Sequence, residues 1–294
     1  MSGPSLLTVT ELFKPITWFP PMWAFACGVV ASGAAMEGRW GLALIGLALA
    51  GPLVCATSQA VNDWFDRHVD AINEPHRPIP SGRIPGRWGL YLAVAWTIIS
   101  LLVATLLGPW GFGAAALGLL LAWAYSAPPV RLKQNGWWGN AACGLSYEGI
   151  AWLTGAAVMA GGAMPAVKSF VLAGLYSVAT HGIMTLNDFK AVAGDRQMGV
   201  RSLPVQLGVD RAARVACWFM LVPQWVVVVL LILWQQPGHA MWIMGLMAAQ
   251  ILLMGRFLLD PTGRALWYSG FGVPLFVVGM MVGAFALRSM GASA

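Results

Sequence analysis

The chain has 294 residues, 59% of them hydrophobic and 10% charged, with a formal net charge of +6. Soluble domains carry about 25% charged residues, so the composition excludes a water-soluble globule and indicates a membrane protein. No separate basic domain exists to direct the positive charge at nucleic acid.

Apolar runs recur from end to end and predict nine membrane-spanning helices, about 16–35, 42–62, 88–107, 110–126, 138–161, 166–187, 214–234, 240–258 and 266–287. The N-terminus has no basic stretch ahead of a short apolar core, so the first span is expected to act as the insertion signal. Connections are short except 63–87 and 188–213, which predicts one all-helical multi-pass domain over residues 1–294. The four cysteines, Cys27, Cys55, Cys143 and Cys217, fall in or beside apolar spans and read as buried small hydrophobes. With nine spans, 14 of the 17 basic residues fall on the side of the N-terminus and the two long loops. The positive-inside rule makes that side cytoplasmic.

The second span runs into "NDWFDRHVDAINEPHRPIPSG". Asn62, Asp66 and Asp70 step by four along one helical stripe, and Asp63 sits three before Asp66. Like charges at that spacing repel, so the cluster is expected to be relieved by a cation. Carboxylate and amide oxygens with no His or Cys set suit a hard ion, and Mg²⁺ fits best. A similar cluster follows the sixth span, with Asn187, Asp188 and Asp195, then Arg201. Asn62 to Arg77 and Asn187 to Arg201 have nearly equal spacings, which suggests an internal duplication. Asp188 and Asp195 share a face if the helix continues between them, with Gly194 the weak point. Lys14, Arg77, Arg131, Lys133 and Arg201 lie on the same side as the acids. Acids, a divalent cation and converging Lys and Arg make a diphosphate site.

These motifs and the nine spans resemble the UbiA superfamily of intramembrane prenyltransferases over essentially the whole chain. "NDWFDRHVDAINEPHRPIPSGRIPGRWGLY" and "NDFKAVAGDRQMGVRSLPVQLG" resemble its chlorophyll synthase branch, the bacterial members most of all. The resemblance implies a helical bundle around a central cavity, capped by the two Asp-rich loops. It implies Mg²⁺ as cofactor, a geranylgeranyl or phytyl diphosphate donor and a bacteriochlorophyllide acceptor, esterified on its propionate. It also implies a bacterial inner membrane, cytoplasmic or intracytoplasmic, with complexes among pigment-pathway or photosynthetic membrane proteins as further partners. Asn62, Asp63, Asp66 and Asp70 match the first family motif, Asp188 and Asp195 the second, with Asn187 beside them. Lys14 matches a basic residue that touches diphosphate.

One departure stands out. Many aromatic prenyltransferases of the superfamily carry an Asp where this chain has Ala191. A propionate is already ionised near neutral pH, its pKa being about 4.3 like Glu. A carboxylate acceptor needs no general base, so Ala191 favours esterification over ring alkylation. Trp64, Phe65, Tyr125 and Tyr147 are candidate aromatic faces for a cationic allylic tail; ordinary packing is the competing role for each. Glu148 is the acid well inside a predicted span, where charge is costly. It either meets pigment or tail, or stays protonated as a structural group. His181 either ligates the pigment's magnesium or is a hydrogen-bonded core histidine. The rival functions are another acceptor within the superfamily (a quinone, haem or lipid precursor), an ion-coupled transporter, and a pigment-binding protein without catalysis.

Overall fold

A computed structural model describes residues 3–291. The first two and last three residues of the expected domain lie outside them. Among the described residues the chain is helical throughout, with α1 Leu6–Phe13, α2 Phe19–Ala31, α3 Trp40–Ala48, α4 Ala56–Asn73, α5 Trp88–Ala104, α6 Gly108–Ser126, α7 Gly136–Gly144, α8 Ala151–Met159, α9 Val167–Asp188, α10 Val192–Gln197, α11 Leu203–Leu207, α12 Val209–Leu233, α13 Pro237–Leu258 and α14 Pro261–Gly291. A single residue pair, Asn135 and Arg201, makes an isolated parallel β-bridge.

Two π-helical segments shape the bundle. Leu49–Cys55 joins α3 to α4, and Leu145–Ile150 joins α7 to α8. The first contains Pro52, which cannot donate to the preceding turn and crowds the carbonyl before it. The wider turn accommodates the ring, and the Trp96 indole donates to the Pro52 carbonyl at 3.0 Å. Gly108, at φ +73°, turns the chain between α5 and α6 in a conformation that side chains resist.

Six helical segments among the described residues are long and apolar enough to cross a membrane, against the nine spans expected. The difference has three sources. α2 is 13 residues long. The continuous stretch Trp88–Ser126 contains both α5 and α6. Residues 136–159 carry Asn140, Ser146 and Glu148, which dilute their hydropathy. The outward faces present Leu102, Leu120, Trp242, Leu252 and Leu266, a surface that only lipid can cover. The chain is a multi-pass membrane protein.

Small residues bring the helices close. A Cβ on Gly28 would overlap the Trp152 carbonyl oxygen, and one on Gly155 would overlap the Phe25 carbonyl, so α2 and α8 touch backbone to backbone. Trp152, Tyr176 and Phe276 fill the core between α2, α8, α9 and α14. A further cluster of Leu12, Phe13, Val61 and Ile84 pins α1 and the 74–87 loop onto α4. That cluster fixes the floor on which the charged residues stand. The four cysteines are free thiols.

Candidate diphosphate site and cavity

α4 presents its acids to three different basic segments. Lys14 follows α1 in a left-handed conformation, φ +47°, and its ammonium donates to Asp63 Oδ1 at 2.6 Å. Asp63 is 1% exposed. Arg77, in the loop after α4, donates to Asp70 Oδ2 at 2.9 Å and lies 3.7 Å from Asp63 Oδ1. Arg131 donates to Asp66 Oδ1 at 3.2 Å, and Lys133 donates to Asp66 Oδ2. Arg131 also stands in left-handed backbone, φ +41°. That conformation costs a non-glycine residue about 1–2 kcal/mol. Two of the four cations gripping the acids therefore stand on strained backbone, which is common where geometry serves binding.

The surroundings tune these cations. Burial works against the Arg77 charge, but Asp70 and Asp63 outweigh it and hold its guanidinium above the ordinary value. Burial pulls the Lys133 ammonium below its ordinary range, with Asp66 opposing.

The second motif is arranged differently from the first. α9 ends at Asp188 and the chain turns through 189–191 before α10 carries Asp195. The helix breaks before Ala191, earlier than the weak point expected at Gly194. The turn still leaves Asp195 an electrostatic neighbour of Asp188, together with Asn140. Burial raises the Asp195 carboxyl above the usual carboxylate range, and the Ser202 hydroxyl opposes that shift. Asn187 is exposed and Arg201 is exposed without an ion pair among the described residues. Arg201 contributes through its backbone: its N–H donates to the Gln134 carbonyl at 2.9 Å and its carbonyl accepts from Gly136 at 2.8 Å. This ties the loop bearing Arg131 and Lys133 to the loop after α10. The two motifs thus agree in sequence spacing but not in the work of their arginines. Tyr125 lies within electrostatic reach of both Asp66 and Asp188, so both clusters border the same residue.

Beneath the acids is a cavity of about 220 Å³. Its upper wall carries Ser58, Gln59, Asn62, Tyr125 and Tyr147; below them it is lined by Leu49, Val54, Gly118 and Ile150. The Tyr147 hydroxyl lies 3.6 Å from Cys55 Sγ and 3.4 Å from Gln59 Nε2. Asn62 donates to the fully buried Ser126 hydroxyl at 3.3 Å. Both π-helical segments contribute to this wall, as the wider turns often do at functional sites.

Several expected residues lie elsewhere. Trp64 stacks under the Arg67 guanidinium at 4.2 Å, and Phe65 packs edge-on against Trp123. Neither lines the cavity. Glu148 is buried in the second π-helical segment, near Thr180 and Cys27 and outside the cavity lining, with Oε2 unpartnered. His181 Nε2 pairs with the Trp137 carbonyl at 3.2 Å and its ring stacks on Phe219, centroids 4.4 Å apart. It too is outside the cavity lining. Sequence reasoning missed Gln59, Ser126 and Asn140. Asn140, 4% exposed and donating to Thr185, was signalled by an amide inside an apolar run. Gln59 stands one turn before Asn62, a spacing that puts both on one face.

The oxygen donors fit a magnesium ion. Asp63 Oδ2 and Asp188 Oδ2 are buried without a hydrogen-bond partner. No three His, Cys, Asp or Glu side chains among the described residues are gathered closely enough to hold a metal alone. That is how Mg²⁺ sites on phosphate substrates are built: one or two carboxylates plus phosphate oxygens, in place of an all-protein cage.

The profile of the UbiA prenyltransferase family matches residues 18–278. The chain belongs to this family. It is 56% identical over 289 residues to the bacteriochlorophyll synthase 33 kDa chain of Cereibacter sphaeroides, covering 98% of this chain and 95% of that protein. The corresponding protein of Rhodobacter capsulatus is 52% identical over the same shares, and the chloroplastic chlorophyll synthase of Oryza sativa is 38% identical over 94% of this chain and 75% of that one. A UbiA homologue from Archaeoglobus fulgidus, solved with GPP and Mg²⁺ bound, superposes with a TM-score of 0.63 at 18% identity, covering 97% and 98% of the two chains. The same homologue has also been solved with Cd²⁺. The all-helical UbiA fold is therefore the fold of this prenyltransferase, as the sequence motifs implied, and the transporter reading falls away.

Proposed function

We propose that the protein is a bacteriochlorophyll synthase. It transfers a geranylgeranyl or phytyl group from its diphosphate to the propionate of bacteriochlorophyllide a and releases diphosphate. The observation that carries this reading is the 56% identity over 98% of the chain with a protein of that name. The charged cap faces the cytoplasm, in keeping with the one-sided distribution of Lys and Arg.

Lys14, Arg77, Arg131 and Lys133 bind the diphosphate oxygens. Each already holds a carboxylate at bonding distance, so the reach and direction needed for an anionic oxygen are present. Asp66, Asp70, Asp188 and Asp195, with Asn62, would hold Mg²⁺ together with oxygens of the diphosphate, and the ion would supply Lewis-acid neutralisation of the charge that builds on the leaving group. The allylic C1–O bond breaks and its electron pair leaves with the diphosphate. A propionate oxygen forms the new bond to C1, which yields the ester and free diphosphate. Tyr125 and Tyr147 present their rings to the cavity directly below, where an aromatic face favours cationic carbon. The acceptor arrives ionised, so no side chain is needed to remove a proton from it. This accords with Ala191 in place of a further acid.

The test uses the purified protein in detergent with Mg²⁺, geranylgeranyl diphosphate and bacteriochlorophyllide, with 4-hydroxybenzoate offered separately. Esterified pigment is expected, abolished by EDTA and lowered at least about a hundredfold in Asp66→Asn, the scale of losing a main electrostatic contact in catalysis. Prenylated hydroxybenzoate without esterified pigment would overturn the acceptor while leaving the diphosphate site in place.

A further inference from the structure

Glu11 and Arg83 form an ion pair that stands apart from the four cations on the acids. Both side chains are exposed, and they lie 72 positions apart in the chain. The Arg83 guanidinium meets the Glu11 carboxylate fork to fork: Nη1 donates to Oε2, and Nη2 donates to Oε1 at 2.7 Å. Nη2 also donates to the His76 carbonyl at 2.6 Å, and Nε donates to the Ser81 hydroxyl at 3.1 Å. All three nitrogens of the guanidinium are engaged.

The pair joins the two segments that deliver Lys14 and Arg77. Glu11 stands three residues before Lys14, and its carbonyl accepts from the Lys14 N–H at 3.3 Å where α1 ends. On the loop side, His76 immediately precedes Arg77, and the Arg77 carbonyl accepts from the Ser81 N–H at 3.0 Å. Arg83 therefore grips the carbonyl before Arg77 and the side chain of the residue that bonds the Arg77 carbonyl. Lys14 and Arg77 converge on one atom, Asp63 Oδ1, at 2.6 and 3.7 Å. Cations carried by separate segments keep that spacing only if the segments are held in register, and one guanidinium spans the two.

Docking of α1 does not depend on the pair. Leu12 and Phe13 of α1 and Ile84 of the loop are buried together, and burial of such side chains outweighs an exposed ion pair. Apolar contact is non-directional, however, whereas a bidentate pair fixes orientation. We infer that Glu11 and Arg83 are positioning residues for the prenyl diphosphate: their ion pair sets the spacing of Lys14 and Arg77 and acts on the substrate through them. The inference rests on the reading of Lys14 and Arg77 as diphosphate ligands. Charge separates it from simple attraction. Deleting Glu11 removes a negative charge near the site, which by electrostatics alone favours an anionic substrate. Loss of the clasp predicts weaker binding, the opposite sign.

The test compares Glu11→Ala, Arg83→Gln and the double variant with wild type in detergent, with Mg²⁺, varied geranylgeranyl diphosphate and saturating bacteriochlorophyllide. Each melting temperature should stay within about 2 °C of wild type, as for loss of an exposed pair. In Glu11→Ala the KM for the diphosphate should rise about tenfold, the scale of one weakened charge-assisted hydrogen bond. Its kcat should stay within about threefold, because bound diphosphate itself bridges the two cations and restores their spacing. Arg83→Gln should raise KM at least as far, since it also frees the His76 carbonyl, and the double variant should match Arg83→Gln. An unchanged or lower KM in Glu11→Ala would overturn the inference. So would single-variant effects that multiply in the double, or a fall in kcat and melting temperature with KM unchanged. If wild type makes no ester, the proposed function fails instead. The clasp is then read from thermal stabilisation by geranylgeranyl diphosphate with Mg²⁺, for which Glu11→Ala should need about tenfold more ligand; an equal requirement would overturn the inference there too.

Discussion

Replacing Lys14 by methionine keeps the length and apolar stem of the side chain and deletes its charge. Asp63 is 1% exposed and accepts from the Lys14 ammonium at 2.6 Å. Its next cation, Arg77, is 3.7 Å away, beyond hydrogen-bond distance. Stripping a fully buried carboxylate of its partner costs about 3–5 kcal/mol. The Lys14 side chain is 24% exposed, so water already screens part of the pair, and a hydrogen bond to a charged group, about 1.5–3 kcal/mol, is the better measure. We expect a loss of about 2 kcal/mol, or about 4 °C in melting temperature for a chain of this size. Differential scanning fluorimetry in detergent reads it, with Asp63→Asn and the double variant closing a thermodynamic cycle. The single Lys14→Met should be worse than the double, because the double leaves no buried unpaired charge. Effects that add within about 0.5 kcal/mol would show the two side chains to be uncoupled and would refute the argument.

Three other outcomes follow from the same geometry. Gly28→Ala should destabilise the bundle by about 1–3 kcal/mol, since the added methyl overlaps the Trp152 carbonyl where α2 meets α8; an unchanged melting temperature would contradict that close approach. Gln224 and Gln250, both fully buried, exchange two amide hydrogen bonds of 3.1 Å between α12 and α13, so Gln224→Leu should cost about 1–2 kcal/mol and the double Leu variant less than the single one, measured by thermal melting. EDTA should abolish ester formation, and titration with MgCl₂ should restore it, because the site supplies oxygen donors but, among the described residues, no self-sufficient metal cage.

Much of the site was legible because local spacing carried it. Asn62, Asp63, Asp66 and Asp70 lie on one continuous helix, so their shared face follows from the helical repeat alone. Lys14, Arg77, Arg131 and Lys133 were legible as a group by their side of the membrane and their place beside the acids. Their pairing was not: Lys14 and Asp63 are 49 positions apart, and Lys133 and Asp66 are 67. No local rule matches four cations to three acids. Trp64 and Tyr125 show the limit from the other direction. Both are aromatic residues near the acids in sequence or in topology, yet only Tyr125 faces the cavity. The rotation of α4 and α6 about their axes decides that, and the rotation is set by packing against neighbours.

The sequence by itself determined the membrane character, the helical class and the chemistry of the charged face. These depend on hydropathy, on the cost of leaving backbone unpaired in lipid, and on the helical repeat, all of which act within a segment. Tertiary structure alone decided that Arg201 is tied in through its backbone while Arg77 pairs through its side chain, that Glu148 and His181 are buried away from the cavity lining, and that Tyr125 and Tyr147 line the cavity beneath the acids. These depend on distances between residues far apart in the chain. The close approaches permitted by glycines such as Gly28 and Gly155, and the altered turns at the two π-helical segments, fix those distances.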